Sequence, residues 1–369
     1  SILFGRKYLN ERKKRKYQTM DFESLKSTTF TLEEILNDPS IPRLPWNEII
    51  IGETIGRGGS GIVSKGIWHP SSGKEKEIAL KEVILDSMGA QEYATEILEE
   101  FLSEIKFMSG LQHEYIVSFY GICASPDFSK IYLVTELMQA GSLRNILSKK
   151  SIPWNIRVKM AKEAAKGMEY LHKRKLIHRD LKTENLLVNG EWTCKVADFG
   201  ISTIRPTITR EMTCIGTPVY MAPEVLTRNK YSEKADVYSF GVVLWEIFTG
   251  KRPYNDGDYR SMNQAQLMFH IIEKNVRPPL TGLEEGLKQL IKDCWNLDPR
   301  LRPSFSESIV RLRRLKKPNE EVSLSSTFVP SSSLDSFDNI ADLTGGSFDN
   351  DTELEENSNS GRISRSESM

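Results

Sequence analysis

Ile177-His-Arg-Asp-Leu-Lys-Thr-Glu-Asn185 is the stretch around which the rest of the chain is arranged. It places the carboxylate of Asp180 two residues after a histidine and five residues before the amide of Asn185, with Lys182 between them. A carboxylate that takes a hydroxyl proton, a lysine that meets a phosphate and an amide that binds a metal ion are parts that phosphoryl transfer needs. The stretch therefore predicts a phosphoryl-transfer site, provided that partner motifs lie before and after it.

A glycine-rich stretch, Gly56-Arg-Gly58-Gly-Ser-Gly61-Ile-Val63, lies upstream between two apolar segments. Glycine permits positive φ and a close approach of the backbone to phosphate, so this pattern predicts a phosphate-covering loop. A dinucleotide-binding loop would need a helix that starts at the third glycine and an acidic residue about twenty positions later. The residues after Gly61 read as a second strand instead, which favours a β-hairpin lid.

A lysine and a glutamate follow in elements that can bring them together. Glu77-Ile-Ala-Leu-Lys81 reads as a strand, and a helical pattern from about Glu92 to Ser109 places Glu104 within an apolar stripe. A lysine at a strand edge is usually a surface residue. An acid beside the core side of a helix, however, is costly unless it is paired. We therefore expect an ion pair between Lys81 and Glu104.

The second half of the chain carries two more short motifs. A buried strand from Ile131 and a polar connector separate a strand-rich front part from a larger rear part. Behind the connector, Lys195-Val-Ala-Asp198-Phe-Gly200 follows a short strand, and a hydroxyl-rich segment ends at Ala222-Pro-Glu224. That segment is either an ordinary surface loop or a regulatory one. Asp236 to Phe248 is nearly apolar throughout and predicts a buried helix.

Composition excludes several classes of protein. The chain has 369 residues, 39% hydrophobic and 27% charged, as is typical of a globular protein. Fifty basic and fifty acidic residues give no net charge, so we expect no nucleic-acid partner. Four scattered cysteines without a Cys-x-x-Cys pair indicate a reducing compartment, and no apolar run approaches the roughly 20 residues that span a bilayer. A cytoplasmic location is the expectation.

The two ends of the chain have opposite charge. Residues 1–20 carry a net +6 and residues 318–369 a net −9. Basic residues collect on the cytoplasmic side of transmembrane helices, so the leader is either a solvated segment or the cytoplasmic flank of a membrane tether upstream of Ser1, as in a receptor fragment. The polar tail predicts disorder. The expected domains are a leader (1–44), a central domain (45–317, divided into 45–136 and 139–317) and a tail (318–369).

Taken in order, these motifs resemble a eukaryotic protein kinase domain over about residues 48–315: glycine loop, strand lysine, helix glutamate, His-Arg-Asp, Asp-Phe-Gly and Ala-Pro-Glu. The resemblance implies an α+β, bilobal fold with ATP in the cleft between a small strand-rich N-lobe that carries one helix and a larger helical C-lobe. Lys182 and Thr217-Pro218 look like the serine/threonine pattern. Trp154, Trp245-Glu246 and Cys294-Trp295 resemble tyrosine kinases. This mixture is similar to the tyrosine-kinase-like group, whose members are mostly serine/threonine specific.

The resemblance also implies roles for individual residues. Asp180 would deprotonate the substrate hydroxyl, and Lys182 would neutralise the transferred phosphoryl group. Lys81, paired with Glu104, would hold the α and β phosphates, and Asn185 and Asp198 would bind Mg²⁺. The ATP-binding residues would be Ile55, Gly56, Arg57, Gly58, Gly59, Ser60, Gly61, Val63, Ala79, Lys81, Thr135, Glu136, Met138 and Leu187.

Residues farther from the cleft match the family as well. Glu224 and Arg302 resemble a buried ion pair, and Asp236 resembles the acid that braces the catalytic loop. Arg179, beside the catalytic acid, implies control by phosphorylation, since an arginine can pair with a phosphate on the activation segment. Thr213 is the first expected acceptor and Thr209 the second, and Thr217 is grouped with them as a regulatory residue.

The sequence thus predicts an ATP-dependent kinase that phosphorylates serine or threonine in protein substrates, in signalling. A dual-specificity kinase and a pseudokinase scaffold are the alternatives. Pseudokinases usually lack the strand lysine, the catalytic acid or the metal acid, whereas Lys81, Asp180 and Asp198 are all present.

Overall fold

Residues 41–58, 61–83, 105–106, 108–127, 130–149, 151–198, 218–228 and 232–317 are described by the computed structural model. Their strands are β1 (Ile49–Gly58), β2 (Gly61–Trp68), β3 (Lys76–Glu82), β4 (Phe119–Ala124), β5 (Ile131–Glu136), β6 (Gly141–Ser142), β7 (Leu186–Val188) and β8 (Cys194–Val196). Their longer helices are α1 (Leu143–Lys149), α2 (Trp154–Lys173), α3 (Pro223–Arg228), α4 (Glu233–Thr249), α5 (Gln264–Glu273), α6 (Glu285–Cys294) and α7 (Phe305–Arg313).

The N-lobe is built on an antiparallel five-stranded sheet in the order β1-β2-β3-β5-β4. Gly58 lies opposite Gly61, so β1 and β2 form a hairpin, and the prediction of a strand after the third glycine is confirmed. Alternate residues of β3 and β5 point into a core that contains Ile78, Leu80 and Val134. Of the helix predicted from Glu92 to Ser109, the structure describes residues 105–106 and 108–109, which are helical.

The edge of this sheet at β4 is covered by the chain that precedes β1. Leu44 N donates to Ile122 O and Ile122 N donates to Pro42 O, both at 2.9 Å. Gly121, with φ 142°, lies against the Pro42 carbonyl, where a Cβ would collide with that oxygen. Ile41 and Leu44 are buried, so the packed part of the chain includes residues that precede the domain start expected at residue 45.

The C-lobe is mainly helical, with the small sheet β6-β7-β8 facing the N-lobe. Helix α4 is buried from Ala235 to Phe248, as its apolar sequence predicts, and Gly250, which follows its last residue, caps it in the left-handed conformation. Capping boxes begin α5 and α7, where Asn263 and Ser304 accept from the third helical residue. A strand-rich lobe and a helical lobe confirm the α+β fold class.

Residues 115–118 are hydrogen-bonded to strands of both lobes. Val117 N donates to Val196 O and Val196 N donates to Tyr115 O, each at 2.9 Å, which attaches the segment to β8. On the other side, Glu136 N at the end of β5 donates to Ser118 O at 3.0 Å. The segment 115–118 therefore lies between the last residue of β5 and strand β8. No helix in the described part of the chain is long and apolar enough to cross a bilayer.

Candidate active site

The loop between α2 and β7 brings three polar side chains together at Asp180. Lys182 Nζ lies 2.6 Å from Asp180 Oδ2. Asn185 Nδ2 donates to the same oxygen at 3.0 Å and to the Asp180 carbonyl at 2.8 Å. Two donors thus fix the orientation of a carboxylate that stays 32% exposed to solvent. The three residues that the sequence assigns to catalysis and metal binding lie within hydrogen-bond distance of one another.

The carboxylate of Asp236, at the start of α4, stabilises this loop through hydrogen bonds. Its carboxylate accepts from His178 N at 2.8 Å and from Arg179 N at 3.0 Å, and it also contacts His172 Nε2 at 2.9 Å. Arg179 has φ 68°, which is unfavourable for a residue with a side chain. Two hydrogen bonds to a buried carboxylate stabilise this backbone conformation, so Asp236 braces the loop as the sequence predicts.

His178 connects the loop to the strand that leads to Asp198. Its ring is fully buried, with Nδ1 3.3 Å from Asp180 N and Nε2 3.1 Å from Ala197 O. A backbone N–H can only donate and a carbonyl can only accept, so Nε2 carries the proton in a neutral ring. Ala197 N in turn donates to Asn185 O at 2.9 Å. These bonds fix the spacing between the two carboxylates of the cleft.

Lys81 crosses the cleft from β3 and pairs with Asp198. The distance from Lys81 Nζ to Asp198 Oδ1 is 2.6 Å. Glu104, the partner that the sequence predicts for Lys81, lies outside the described residues. The Lys81–Asp198 pair was not predicted, although both residues were assigned to one nucleotide site, and this shared assignment was the signal that could have revealed it.

The roof of the cleft is formed by neighbouring strands. The Cα partners across them are Gly56 with Val63, Val63 with Lys81, and Ala79 with Thr135. Gly61 has φ 116°, and a Cβ there would lie 2.9 Å from the Glu82 carbonyl oxygen. A side chain at Gly61 would therefore be strained. Of the other loop residues in the prediction, Ile55, Arg57 and Gly58 are in β1, and Gly59 and Ser60 lie outside the described residues.

The floor of the cleft is apolar. Leu187 on β7 packs against a buried cluster of Val117, Met138 and Ala197. Met138 belongs to the hinge, residues 137–140, which connects β5 to β6, and its carbonyl accepts from Gly141 N at 3.0 Å. A flat apolar surface beside hinge backbone groups suits a planar heteroaromatic base.

Glu136, at the base of the hinge, has a side-chain partner that the sequence did not reveal. Lys195 Nζ lies 2.8 Å from both carboxylate oxygens of Glu136, and Ser118 N donates to Oε1 at 2.7 Å. The sequence feature that could have indicated this pair is Lys195, a lysine inside the short strand that precedes Asp198. No local sequence pattern predicts that opposite charges on strands of different lobes form an ion pair.

Two further ion pairs stabilise the C-lobe near the site. Arg302 donates to both oxygens of Glu224, at 2.6 and 2.9 Å, which confirms the predicted pair. The second pair was missed: Arg144 NH1 lies 2.8 Å from Glu246 Oε1. Glu246 Oε2 accepts from Thr183 Oγ1 at 2.8 Å and from Tyr220 OH at 2.5 Å.

Burial determines the proton affinities in this cluster. It raises the pKa of Glu246, and the hydrogen bonds from Tyr220 and Thr183 oppose that shift. Burial also raises the pKa of the Tyr220 hydroxyl well above its usual value. Tyr220 therefore stays a donor, and Glu246 joins the loop between α2 and β7 to the segment before α3. The regulatory threonines of the prediction, Thr209, Thr213 and Thr217, lie outside the described residues.

The donor set at Asn185 and Asp198 fits a hard divalent cation. The amide nitrogen of Asn185 is used on Asp180, which leaves its oxygen for a ligand, and Asp198 adds a carboxylate. Within the described ranges there is no group of three or more His, Cys, Asp or Glu side chains that could hold a metal ion. Mg²⁺ is usually bound by one or two carboxylates together with substrate phosphates and water, so this sparse oxygen set suits it.

Comparison with known proteins gives a consistent result. Residues 49–312 match the family model described as protein tyrosine and serine/threonine kinase. The chain is 38% identical over 288 residues to the probable serine/threonine-protein kinase SIS8 of Arabidopsis thaliana, which covers 76% of this chain and 26% of SIS8. It is 36% identical over 275 residues to a probable serine/threonine-protein kinase of Dictyostelium discoideum, covering 74% of this chain and 28% of that protein. The chain thus spans about a quarter of the length of these two relatives.

A third relative is closer in length. The serine/threonine/tyrosine-protein kinase HT1 of Arabidopsis thaliana is 35% identical over 307 residues, which are 79% of this chain and 75% of HT1. Residues 49–312, which the family model matches, include every element that lines the cleft.

Proposed function

The chain belongs to the protein tyrosine and serine/threonine kinase family, and we propose that it transfers the γ-phosphate of ATP to serine or threonine hydroxyls of protein substrates. The observation that carries this proposal is the arrangement at Asp180, whose carboxylate is oriented by Lys182 and Asn185 yet remains accessible. Lys81 and Asp198 complete the set of charges on the opposite side of the cleft.

Asp180 would orient the substrate hydroxyl and accept its proton as the oxygen attacks the γ-phosphorus. The new bond is oxygen to γ-phosphorus, the bond that breaks joins that phosphorus to the bridging oxygen, and ADP leaves with the electron pair. Lys182, 2.6 Å from Asp180, would stabilise negative charge on the transferred group. Positioning and electrostatic stabilisation of this kind account for most of the protein's part in phosphoryl transfer.

The nucleotide would lie between the glycine hairpin and the apolar floor. Lys81 would contact the α and β phosphates, and Val63, Ala79 and Leu187 would enclose the base. Asn185 and Asp198 would hold Mg²⁺, which when bound neutralises phosphate charge. Glu136 and Met138 would offer backbone groups to the base.

Serine/threonine specificity is supported by Lys182 in the loop between α2 and β7 and by the names of the relatives. Dual specificity is the second candidate, because the name of HT1 includes tyrosine. Analysis of the phosphorylated amino acids in a mixed protein substrate distinguishes the two. A serine/threonine kinase yields only phosphoserine and phosphothreonine, whereas a dual-specificity kinase also yields phosphotyrosine.

The test of the activity is phosphate transfer from labelled ATP by the wild type and by Asp180→Asn. Loss of the base is expected to lower kcat by about 10²- to 10⁴-fold with little change in stability. Asp256→Asn is the matched control, since the Asp256 side chain is 72% exposed and its ion pair with Lys251 is 3.7 Å long. Equal, near-zero rates for the wild type and Asp180→Asn would instead support a pseudokinase scaffold.

Control by phosphorylation is a separate part of the proposal. Arg179 lies beside Asp180 and its backbone is held by Asp236, so its position is fixed relative to the catalytic acid. A phosphate on the activation segment could pair with the arginine. We expect phosphorylation of Thr213, or else of Thr209, in active protein. Mass spectrometry of active protein that finds neither residue phosphorylated would contradict this expectation.

A further inference from the structure

Glu136 and Lys195 form an ion pair across the seam between the two lobes. Lys195 Nζ is 2.8 Å from both oxygens of Glu136, and the two side chains are 18% and 14% exposed, respectively. Ser118 N donates to Glu136 Oε1 at 2.7 Å. We call these three groups the interlobe clasp: the Glu136 carboxylate, the Lys195 ammonium and the Ser118 amide.

The clasp differs from the surface ion pairs of this chain. An exposed pair contributes little because water screens it, whereas partly buried charges interact more strongly. Here the carboxylate accepts from two donors, Lys195 Nζ at both oxygens and Ser118 N at one, so its removal from water is compensated. A group satisfied in this way has one preferred position, and it holds the backbone that carries it.

The position of the clasp connects it with the base-binding surfaces. Glu136 is the last residue of β5, directly before the hinge. Lys195 lies opposite Leu187 in the β7–β8 pair, so the two side chains emerge on the same face of that sheet. Leu187 belongs to the apolar floor. The clasp therefore ties the residue directly before the hinge to β8, the strand paired with the strand that carries Leu187.

Among the described residues, backbone bonds connect the start of the hinge to β8 through an intermediate, whereas the other end of the hinge is bonded directly to β7 by Ala140 N and Val188 O at 3.0 Å. Glu136 N is bonded to Ser118 O, and the segment 115–118 is bonded to β8 by the two bonds of Val196. This indirect connection contains two hydrogen-bonded contacts, and the backbone segments can slide past each other at either one. The Glu136–Lys195 ion pair spans this distance directly, so it limits the separation between the start of the hinge and strand β8.

We propose that Glu136 and Lys195 are positioning residues that hold the hinge backbone at a fixed height above Leu187 and so set the affinity for the adenine base. The proposal rests on the proposed function, because it assumes that a purine base lies between these surfaces. It extends that function by assigning the base affinity to an interlobe ion pair whose side chains do not contact the reacting atoms.

The test is the affinity for adenosine, which has the base but neither phosphates nor bound metal. Lys195→Met is expected to weaken adenosine and ADP binding by the same factor, about tenfold, in calorimetric titrations of the full chain. In phosphate transfer, the KM for ATP should rise by a similar factor while kcat stays within about twofold. A merely structural role would lower kcat and the folded fraction without this split.

Two variants separate the charge from the packing. Lys195→Arg keeps a cation that can bond both carboxylate oxygens and should restore adenosine affinity to within about threefold of the wild type. Glu136→Gln keeps an acceptor for Ser118 N but loses the ion pair, and it should match Lys195→Met. The double variant should be no weaker than either single variant, because both remove the same interaction.

Lys65→Met is the matched control. Lys65 pairs with Glu77 at 2.6 Å, but the pair is 40% and 45% exposed and lies within the N-lobe. Its loss should leave adenosine affinity unchanged. Unchanged adenosine affinity in Lys195→Met, or equal losses in Lys195→Arg and Lys195→Met, would overturn the clasp. Absent phosphate transfer in the wild type, with adenosine binding that Lys195→Met weakens, would overturn the proposed activity and leave the clasp in place.

Discussion

Buried carboxylates in this chain differ in how fully their charge is compensated. Asp236 accepts two backbone N–H bonds and contacts a histidine. The charge of Glu163 on α2 is compensated less fully: its carboxylate accepts from Cys194 N at 2.9 Å, and Lys159 Nζ is 3.6 Å away. Burial raises the pKa of Glu163 despite these contacts. The negative charge of Glu163 therefore opposes folding at neutral pH.

The sign of this effect gives a pH prediction. Because the pKa of Glu163 in the folded state lies above the usual value of 4.5, the folded state binds the proton more readily than the unfolded state. Its contribution to the free energy of unfolding therefore falls as pH rises above 4.5 through the raised pKa. Glu163→Gln mimics the protonated form and keeps an acceptor for Cys194 N. The variant should be more stable than the wild type at pH 8, with a difference that shrinks towards pH 5.

Urea unfolding of both proteins between pH 5 and pH 8 measures this difference. Glu163→Ala serves as the control, since it removes the acceptor and creates a cavity, and it should be less stable at every pH. A Glu163→Gln effect of constant size across this range would show that ionisation of Glu163 does not contribute.

Single residues were also where sequence reasoning had its clearest limits. The grouping of Asp180, Lys182 and Asn185 could be predicted because they lie in one short stretch, and the structure brings their side chains together. Lys195 and Asp198 each pair with a residue from the other lobe, at a sequence separation of 59 and 117. Local pattern carries no information about such pairs, because the partners meet only after the lobes are assembled.

At the scale of elements, the pattern that follows a motif was more informative than the motif. Glycine spacing at Gly56–Gly61 is compatible with a helix start or a hairpin, and the β-branched residues that follow decided for the hairpin, which the structure contains. The apolar run of α4 likewise predicted a buried helix. The periodicity of apolar residues shows which face of an element is buried. Strands and helices with a strong periodic pattern could therefore be predicted from the sequence.

Close contacts between elements could not be predicted in the same way. Gly167, in the middle of α2, faces the segment 115–118, and a Cβ there would lie 2.5 Å from Tyr115 O and 2.8 Å from Val196 Cγ2. Glycine in a helix interior normally costs about 1 kcal/mol relative to alanine. Here the absence of a side chain at Gly167 lets α2 pack closely against the segment 115–118 and strand β8. The sequence shows the unfavourable glycine, but only the packed structure shows the reason for it.

For the molecule as a whole, α4 is the element that connects the catalytic loop to the C-lobe core. Asp236 near its start holds His178 and Arg179, and Glu246 near its end holds Thr183. The loop is thus attached to one buried helix at two points. The brace at Asp236 could be inferred from the kinase resemblance. The bonds of Glu246 could not, because its partners come from three separate elements.

Helix α1 supplies the charge that makes the second attachment stable. Arg144 and Glu246 are 10% and 0% exposed, so removal of the arginine leaves a buried carboxylate without its ion-pair partner. Arg144→Met is therefore expected to lower the free energy of unfolding by about 3–5 kcal/mol in urea. In the Arg144→Met background, Glu246→Gln should recover part of this loss, because a neutral amide oxygen can still accept from Tyr220 and Thr183.

Lys288→Met is the matched control for that prediction, since Lys288 pairs with Glu285 at 3.0 Å on one helix and Glu285 is 79% exposed. Its cost should stay below about 1 kcal/mol. Recovery by the second substitution is the decisive measurement, because a packing defect at residue 144 would not respond to the charge of residue 246. A double variant as unstable as Arg144→Met alone would mean that Arg144 stabilises α1 by contacts of its stem. In that case the anchoring of the catalytic loop to α4 would not depend on the ion pair.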